Sequence, residues 1–292
     1  MTHFRKILVC GVGLIGGSFA LALKRAGVVG EVVGMGRSLA TLEEAQRLGV
    51  IDRHTSDWAD ALAGTELLLL AMPVGQTEEI LRQAAPHLQL QTIVSDAGST
   101  KQDVVAAARV ALGEKIGQFV PGHPIAGAEK SGVAAAQADL FRDKRVILTP
   151  LAENPSAAVA AMRNAWELCG AEVSELTPQA HDRIFAAVSH LPHLLAFALV
   201  HELAGRADSE QLFGFAASGF RDFTRIASSH PEMWRDICIA NRAALIAELD
   251  AYQAELLRTR VLLASADGAG LETMFGEARG ARNAWIEAQH EK

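Results

Sequence analysis

The segment Val120 to Val133, VPGHPIAGAEKSGV, places His123 beside a proline and follows it with Glu129 and Lys130 among Gly122, Gly127 and Gly132. An imidazole has an ordinary pKa close to neutrality, so it can take a proton at one stage of a reaction and return it at another. Glycines let backbone approach a ligand where a Cβ would intrude. Residue types alone leave two readings of His123 open: a proton acceptor in a reactive loop, and a helix- or turn-capping histidine beside Pro124.

A second set of residues points to a nucleotide. Gly11, Gly13 and Gly16, with Leu14 and Ile15 between the last two, form Gly-x-Gly-x-x-Gly directly after the apolar run KILVC and at the head of a helical pattern from about Leu14 to Ala26. In that context Gly11 permits the tight turn, Gly13 admits a pyrophosphate, and Gly16 lets the helix pack on the strand, with the helix N-terminus supplying partial positive charge. An NAD site usually adds an acidic residue about twenty positions on, at the end of the next strand. Here the sequence reads Gly34-Met35-Gly36-Arg37-Ser38. Losing a carboxylate and gaining a guanidinium and a hydroxyl favours NADP, with NAD retained if Arg37 only covers the adenine.

Other polar groups are weaker signals. Ser189-His190-Leu191-Pro192-His193, with His201 further on, lacks a carboxylate or cysteine at a supporting spacing, so no metal site is expected. Arg221 and Arg225 would share a face if their segment is helical, and Asp222 would reach Arg225; a solvated charged face is the plainer reading. Cys10, Cys169 and Cys238 are odd in number and sit in apolar runs, as reduced buried thiols do.

The elements that must carry these groups fall into two halves. From Arg5 to about Thr177, the strand-like runs KILVC, EVVGM, ELLLLAM, QTIVSD, GQFVPG, RVILTP and AEVSEL alternate with helical segments, predicting an α/β parallel sheet of Rossmann type. Thr177 and Pro178 read as a helix cap and first turn. Beyond them the pattern is helical with broad apolar faces, which predicts domains at 1–176 and 177–292, the second all-helical and pairing with another subunit.

With 292 residues, 50% of them hydrophobic, the chain can bury one or two cores. Its net charge of −7 and lack of any basic run longer than two residues exclude a footprint for nucleic acid or an anionic membrane surface. No run reads as a bilayer span and the N-terminus carries no leader pattern, so a cytoplasmic location is expected.

The ordered set GVGLIGGS, SDAGSTK, GHPIAGAEKSG, SHLPH and GFRDFTRIASSHPEMWRDI resembles the prephenate and arogenate dehydrogenase family of tyrosine biosynthesis, over nearly the whole chain. The resemblance implies NADP- or NAD-dependent oxidative decarboxylation of a cyclohexadienol, prephenate or arogenate, by a homodimer. It implies that His123 accepts the hydroxyl proton, and that Ser99 hydrogen-bonds this histidine or the same oxygen. It places His193 at the substrate side chain, Arg225 on a carboxylate with Asp222 orienting it, and Glu129 near the substrate entrance. Trp234 matches a family tryptophan, and Ala128 stands where some relatives carry threonine, which weakens any transfer of side-chain specificity. The chain's end soon after its last helical run sets the expectation of no appended regulatory or mutase domain.

Two rival readings are a different two-domain dehydrogenase or reductase and a non-catalytic dinucleotide-sensing module. Against a hydroxyacid dehydrogenase, whose helical part supplies a lysine, no lysine occurs between Lys144 and Lys292.

Overall fold

The structure, a computed structural model, describes residues 3–128 and 130–290, with side chains to 288. Glu129, expected near a substrate entrance, lies outside the described residues.

The N-terminal half begins with β1 (Phe4–Cys10), α1 (Leu14–Arg25), β2 (Val29–Met35), α2 (Leu39–Arg47) and β3 (Arg53–His54). It continues through α3 (Trp58–Leu62), β4 (Leu67–Leu70), α4 (Thr77–Ala84), β5 (Ile93–Asp96), α5 (Gln102–Leu112) and β6 (Phe119–Val120). These six strands form one parallel sheet in the order β3-β2-β1-β4-β5-β6. The all-leucine β4 is buried along its whole length because helices cover both faces of the sheet. Each such side chain contributes about 1.5–3 kcal/mol by leaving water. The two-residue β3 has no apolar run to announce it.

The sheet does not continue past β6. Pro121 separates it from β7 (Gly122–Pro124), which pairs antiparallel with β8 (Arg145–Leu148); after α6 (Ser156–Leu168), β9 (Glu172–Glu175) adds to β8 in parallel. The expected single parallel sheet is therefore two sheets. The run GQFVPG does not form one strand because proline has no N–H for a ladder. As a result His123 stands on a short strand opposite Ile147, not on a loop.

Thr177 caps α7 (Pro178–Phe185), accepting the Ala180 N–H at 3.1 Å. A π-helical turn over Ala186–His190 links α7 to α8 (Leu191–Ala204). Pro192 accounts for it: its ring displaces the Val188 carbonyl and it has no N–H to offer, so the preceding turn widens. The run Pro178–Ala204 is thus unbroken and, by length and composition, is apolar enough to cross a bilayer, which corrects the reading that no run reaches that length. It carries buried His181, Asp182 and His190 on hydrogen bonds within the protein, so it serves as a wall of the site described below.

Helices α9 (Ser209–Gly214), α10 (Ser218–Thr224) and α11 (Pro231–Ala240) complete the first of two compact units, residues 1–242. Residues 243–292 form the second, made of α12 (Arg242–Ala264) from its second residue onward and α13 (Gly268–His290), joined through Ala266 at φ 53°. Leu256, Leu257, Val261, Phe275 and Trp285 are exposed there. Among the described residues no strand follows β9.

Candidate active site

The end of β5 supplies the first anchor. Asp96 is buried, and its carboxylate accepts the Gly98 N–H at 2.8 Å and the Gly122 N–H at 3.0 Å, which ties the β5–α5 loop to the start of β7. Fully buried Lys101 donates from Nζ to Asp96 and, at 2.7 Å, to the Gly122 carbonyl. These bonds satisfy both charges where water does not reach, and they hold the residue before His123 from two sides.

His123 is buried on β7. Its Nδ1 lies 2.8 Å from Nε2 of His181 on α7, whose own Nδ1 lies 2.8 Å from Oδ1 of Asp182. Asp182 also accepts the Lys101 and Gln102 backbone N–H groups at 2.8 and 2.9 Å, capping the N-terminus of α5 where a helix offers unpaired donors. Phe185 closes the group, its ring 5.0 Å from His123 and 4.5 Å from His181. Asn241 donates to the Asp182 carbonyl at 2.7 Å and lies 3.1 Å from His190 Nδ1.

Burial dominates the electrostatics. It pushes His123 well below the usual histidine range, and the charges of His181, Lys101 and His190 act in the same direction. His181 is lowered by burial despite its hydrogen bond to Asp182, and His190 falls to about 4, again chiefly by burial. For Asp182 burial acts upward, yet the hydrogen bonds from His181, Gln102 and Lys101 leave its carboxyl below the usual carboxylate range. The arrangement is a neutral imidazole pair ending on a carboxylate, suited to receiving one proton.

Ser99 lies in the same loop as Lys101, half-buried, but its side chain makes no hydrogen bond among the described residues; His181 occupies the Nδ1 side of His123 instead. His193, on α8, donates from Nδ1 to the Ser189 carbonyl at 2.9 Å and stacks on Trp234 of α11, with ring centres 3.7 Å apart and 19° between planes. Burial lowers His193, the Ser189 carbonyl acts upward, and the positive field of Arg225 lowers it further, so Arg225 and His193 share one region. Arg225 is exposed and begins a 3-10 turn, Arg225–Ser228, after α10 ends. The expected continuous helical face with Arg221 is therefore broken. Asp222 lies 3.9 Å from Arg221 Nε, both largely in solvent, and not in an ion pair with Arg225 as expected; exposed side chains this long gain little from one fixed pairing.

At the same carboxyl edge of the sheet, past the ends of β1, β2 and β4, a cavity of about 420 Å³ is lined by Cys10, Gly11, Gly13, Arg37, Ser38 and Pro73, among others. Gly11 has φ 96°, and a Cβ there would lie 2.6 Å from the Ala71 carbonyl oxygen. A Cβ on Gly16 would lie 2.3 Å from the Gly11 carbonyl oxygen. At Gly13 a Cβ would meet nothing within 4 Å, so the open space lies where a pyrophosphate needs it, at the head of α1. Leu14 and Ile15 are the first residues of that helix. Arg37 is exposed at the cavity edge, while Ser38 Oγ is already engaged in capping α2, with Thr41 N at 3.2 Å and Thr41 Oγ1 at 3.0 Å. The residues present fit a dinucleotide.

Sequence reasoning missed His181, Asp182 and Asn241 and gave Asp96 and Lys101 no role beyond membership of a loop. No spacing connects these groups to His123. A histidine and an aspartate just inside a capped helix start were the only signal available.

Known proteins resemble this chain along most of its length. Residues 19–175 match the nucleotide-binding domain of prephenate dehydrogenase, and residues 177–277 match its dimerisation domain. The chain is 36% identical to a cyclohexadienyl dehydrogenase of Zymomonas mobilis, over 97% of this chain and 96% of the relative. It is 38% identical to a prephenate dehydrogenase of Bacillus subtilis, over 95% of this chain and 75% of the relative. A crystal structure of prephenate dehydrogenase from A. aeolicus, in complex with hydroxyphenyl propionate and NAD+, superposes with a TM-score of 0.89 at 35% identity, over 95% of this chain and 97% of that one.

Proposed function

The chain belongs to the prephenate dehydrogenase family, and from that premise we propose that it carries out the oxidative decarboxylation of prephenate or arogenate, with a nicotinamide dinucleotide as oxidant. The bound nicotinamide supplies a two-electron hydride acceptor. The C4 hydroxyl of the cyclohexadienol passes its proton to His123 as the C4–H bond gives up its hydride. The bond to the ring carboxylate then breaks, its electron pair completes the aromatic ring, and CO2 leaves. The phenolate oxygen takes the proton back from His123, so no proton is consumed overall. The observation that carries this reading is the buried, neutral His123 held 2.8 Å from a second histidine.

Ser99, in the adjoining loop, bonds the same hydroxyl. Arg225 binds a substrate carboxylate beside His193, and the stacked Trp234 fixes the plane of that ring. Gly11, Gly13 and Gly16 hold the pyrophosphate. Arg37 at the cavity edge, with no carboxylate beside it in the Gly36–Ser38 turn, supports NADP. NAD is the second reading, favoured by the engagement of Ser38 Oγ in its helix cap and by the NAD+ bound in the A. aeolicus structure. The functional division follows the helix cap at Thr177, with 1–176 binding nucleotide and 177–292 contributing substrate contacts and the homodimer face. The exposed apolar residues of α12 and α13 support that face. Three free thiols suit the cytoplasm.

The test is an assay of prephenate and arogenate, each with NAD and NADP. Reduction of a nicotinamide with CO2 release in at least one combination is expected; no turnover in any of the four would refute the reading.

A further inference from the structure

Hydrogen-bond chemistry around His123 determines which ring nitrogen carries its hydrogen. An ionised carboxylate only accepts. Asp182 lies 2.8 Å from His181 Nδ1, so that nitrogen bears the hydrogen. A neutral imidazole has a single N–H, which leaves His181 Nε2 with a lone pair. That lone pair faces His123 Nδ1 at 2.8 Å, so His123 Nδ1 donates and His123 Nε2 is left as the free base.

The opposite arrangement fails on the same contacts. With hydrogen on His123 Nε2, His181 would have to donate from its Nε2, and its bare Nδ1 would then oppose the Asp182 carboxylate. Asp182 cannot readily turn away from that conflict. Its carboxylate is held by the Lys101 and Gln102 N–H groups, and the Asn241 amide fixes its backbone.

We propose that Asp182 and His181 are positioning residues that lock His123 in the Nδ1–H tautomer and aim its Nε2 lone pair at the substrate hydroxyl. The mechanistic part rests on the reaction proposed above; the tautomer follows from the protein's own contacts. When His123 takes the hydroxyl proton, its Nδ1–H strengthens its bond to His181, and the Asp182 carboxylate stabilises the charge through the ring between them. The groups that share this environment are Lys101, Asp96 and His190, and none of them stands between His123 Nδ1 and His181.

Two substitutions at His181 test the idea. Glutamine can accept from His123 with its oxygen and donate to Asp182 with its nitrogen, whereas leucine can do neither. His181→Gln is expected to keep kcat within about tenfold. His181→Leu is expected to lower kcat by about 100-fold, at the lower end of general-base contributions, with KM and the nucleotide Kd within about twofold. A glutamine variant that falls as far as the leucine variant would overturn the proposal.

Nitrogen-15 correlation spectra of the histidine rings near neutral pH read the tautomer without any turnover, with His123→Asn assigning the signals. Hydrogen on His123 Nδ1 in the parent, and its loss as the single form in His181→Leu, is expected. Hydrogen on Nε2 in the parent would overturn the proposal whatever the kinetics. An inactive parent with the Nδ1–H tautomer would refute the reaction and leave the lock standing.

Discussion

Lys101 and Asp96 form a fully desolvated ion pair, and both partners also bond Gly122, the residue before His123. Stability and site geometry therefore depend on the same contact. Removing one charge strands the other in a medium that cannot solvate it, so Lys101→Met is expected to cost about 3–5 kcal/mol in urea unfolding. Adding Asp96→Asn to that variant is expected to recover part of the loss. A Lys101→Met protein as stable as the parent would show that the pair is not what holds β7 to β5.

His123→Asn preserves a polar side chain of lower volume but not a titratable base. Turnover is expected to fall by about 10²–10⁴ while nucleotide affinity stays within about twofold, because the dinucleotide contacts lie on the loop after β1. Unchanged kcat would remove His123 as proton acceptor.

Acid is expected to destabilise the protein earlier than its carboxylates require. His123, His181, His190 and His193 all have folded-state values below the ordinary 6.5, chiefly through burial. Below that value the unfolded chain binds protons that the folded protein refuses. Stability is therefore full above the unfolded value and declines as pH falls through the interval toward the folded one. For His190, at about 4, the decline between pH 7 and pH 5 amounts to about 2 kcal/mol. Urea titrations at the two pH values measure it, and equal stability at both would contradict the buried neutral histidines.

Arg37→Ala separates the two cofactor readings. A guanidinium paired with a 2′-phosphate contributes about 1.5–3 kcal/mol, so KM for NADP is expected to rise about 10- to 100-fold while KM for NAD changes little. Equal effects on both would mean that Arg37 only covers the adenine.

Arg225→Ala is expected to raise the substrate KM about 10- to 100-fold with a smaller change in kcat, as loss of a carboxylate contact does. Asp222→Asn serves as the contrast: since Asp222 faces exposed Arg221, steady-state constants within about twofold of the parent are expected. A large KM change in Asp222→Asn together with none in Arg225→Ala would remove Arg225 from the carboxylate site.

The nucleotide end was legible because its determinants are local. A strand, a glycine-defined turn and a helix start occupy consecutive residues, and Gly11, Gly13 and Gly16 meet steric demands that can be read one position at a time. The cap at Thr177 and the change from alternating to purely helical elements were visible for the same reason, since capping and periodicity act over a few residues. His123 stood out by type and setting, though its environment did not.

What only the tertiary structure decided is long-range. Proline at 121 ends one sheet and lets β7 start another, which a run of apolar residues does not reveal. The separation of 58 positions between His123 and His181 carries no periodic signal of their contact; it exists because α7 packs its capped end against the start of α5, where Asp182 meets the unpaired N–H groups. The sequence by itself determined which residues can bind a dinucleotide and which imidazole is placed among glycines. The fold decided that this imidazole is dry, neutral and oriented by a second histidine, because desolvation and hydrogen-bond direction depend on neighbours that the chain brings together only on folding.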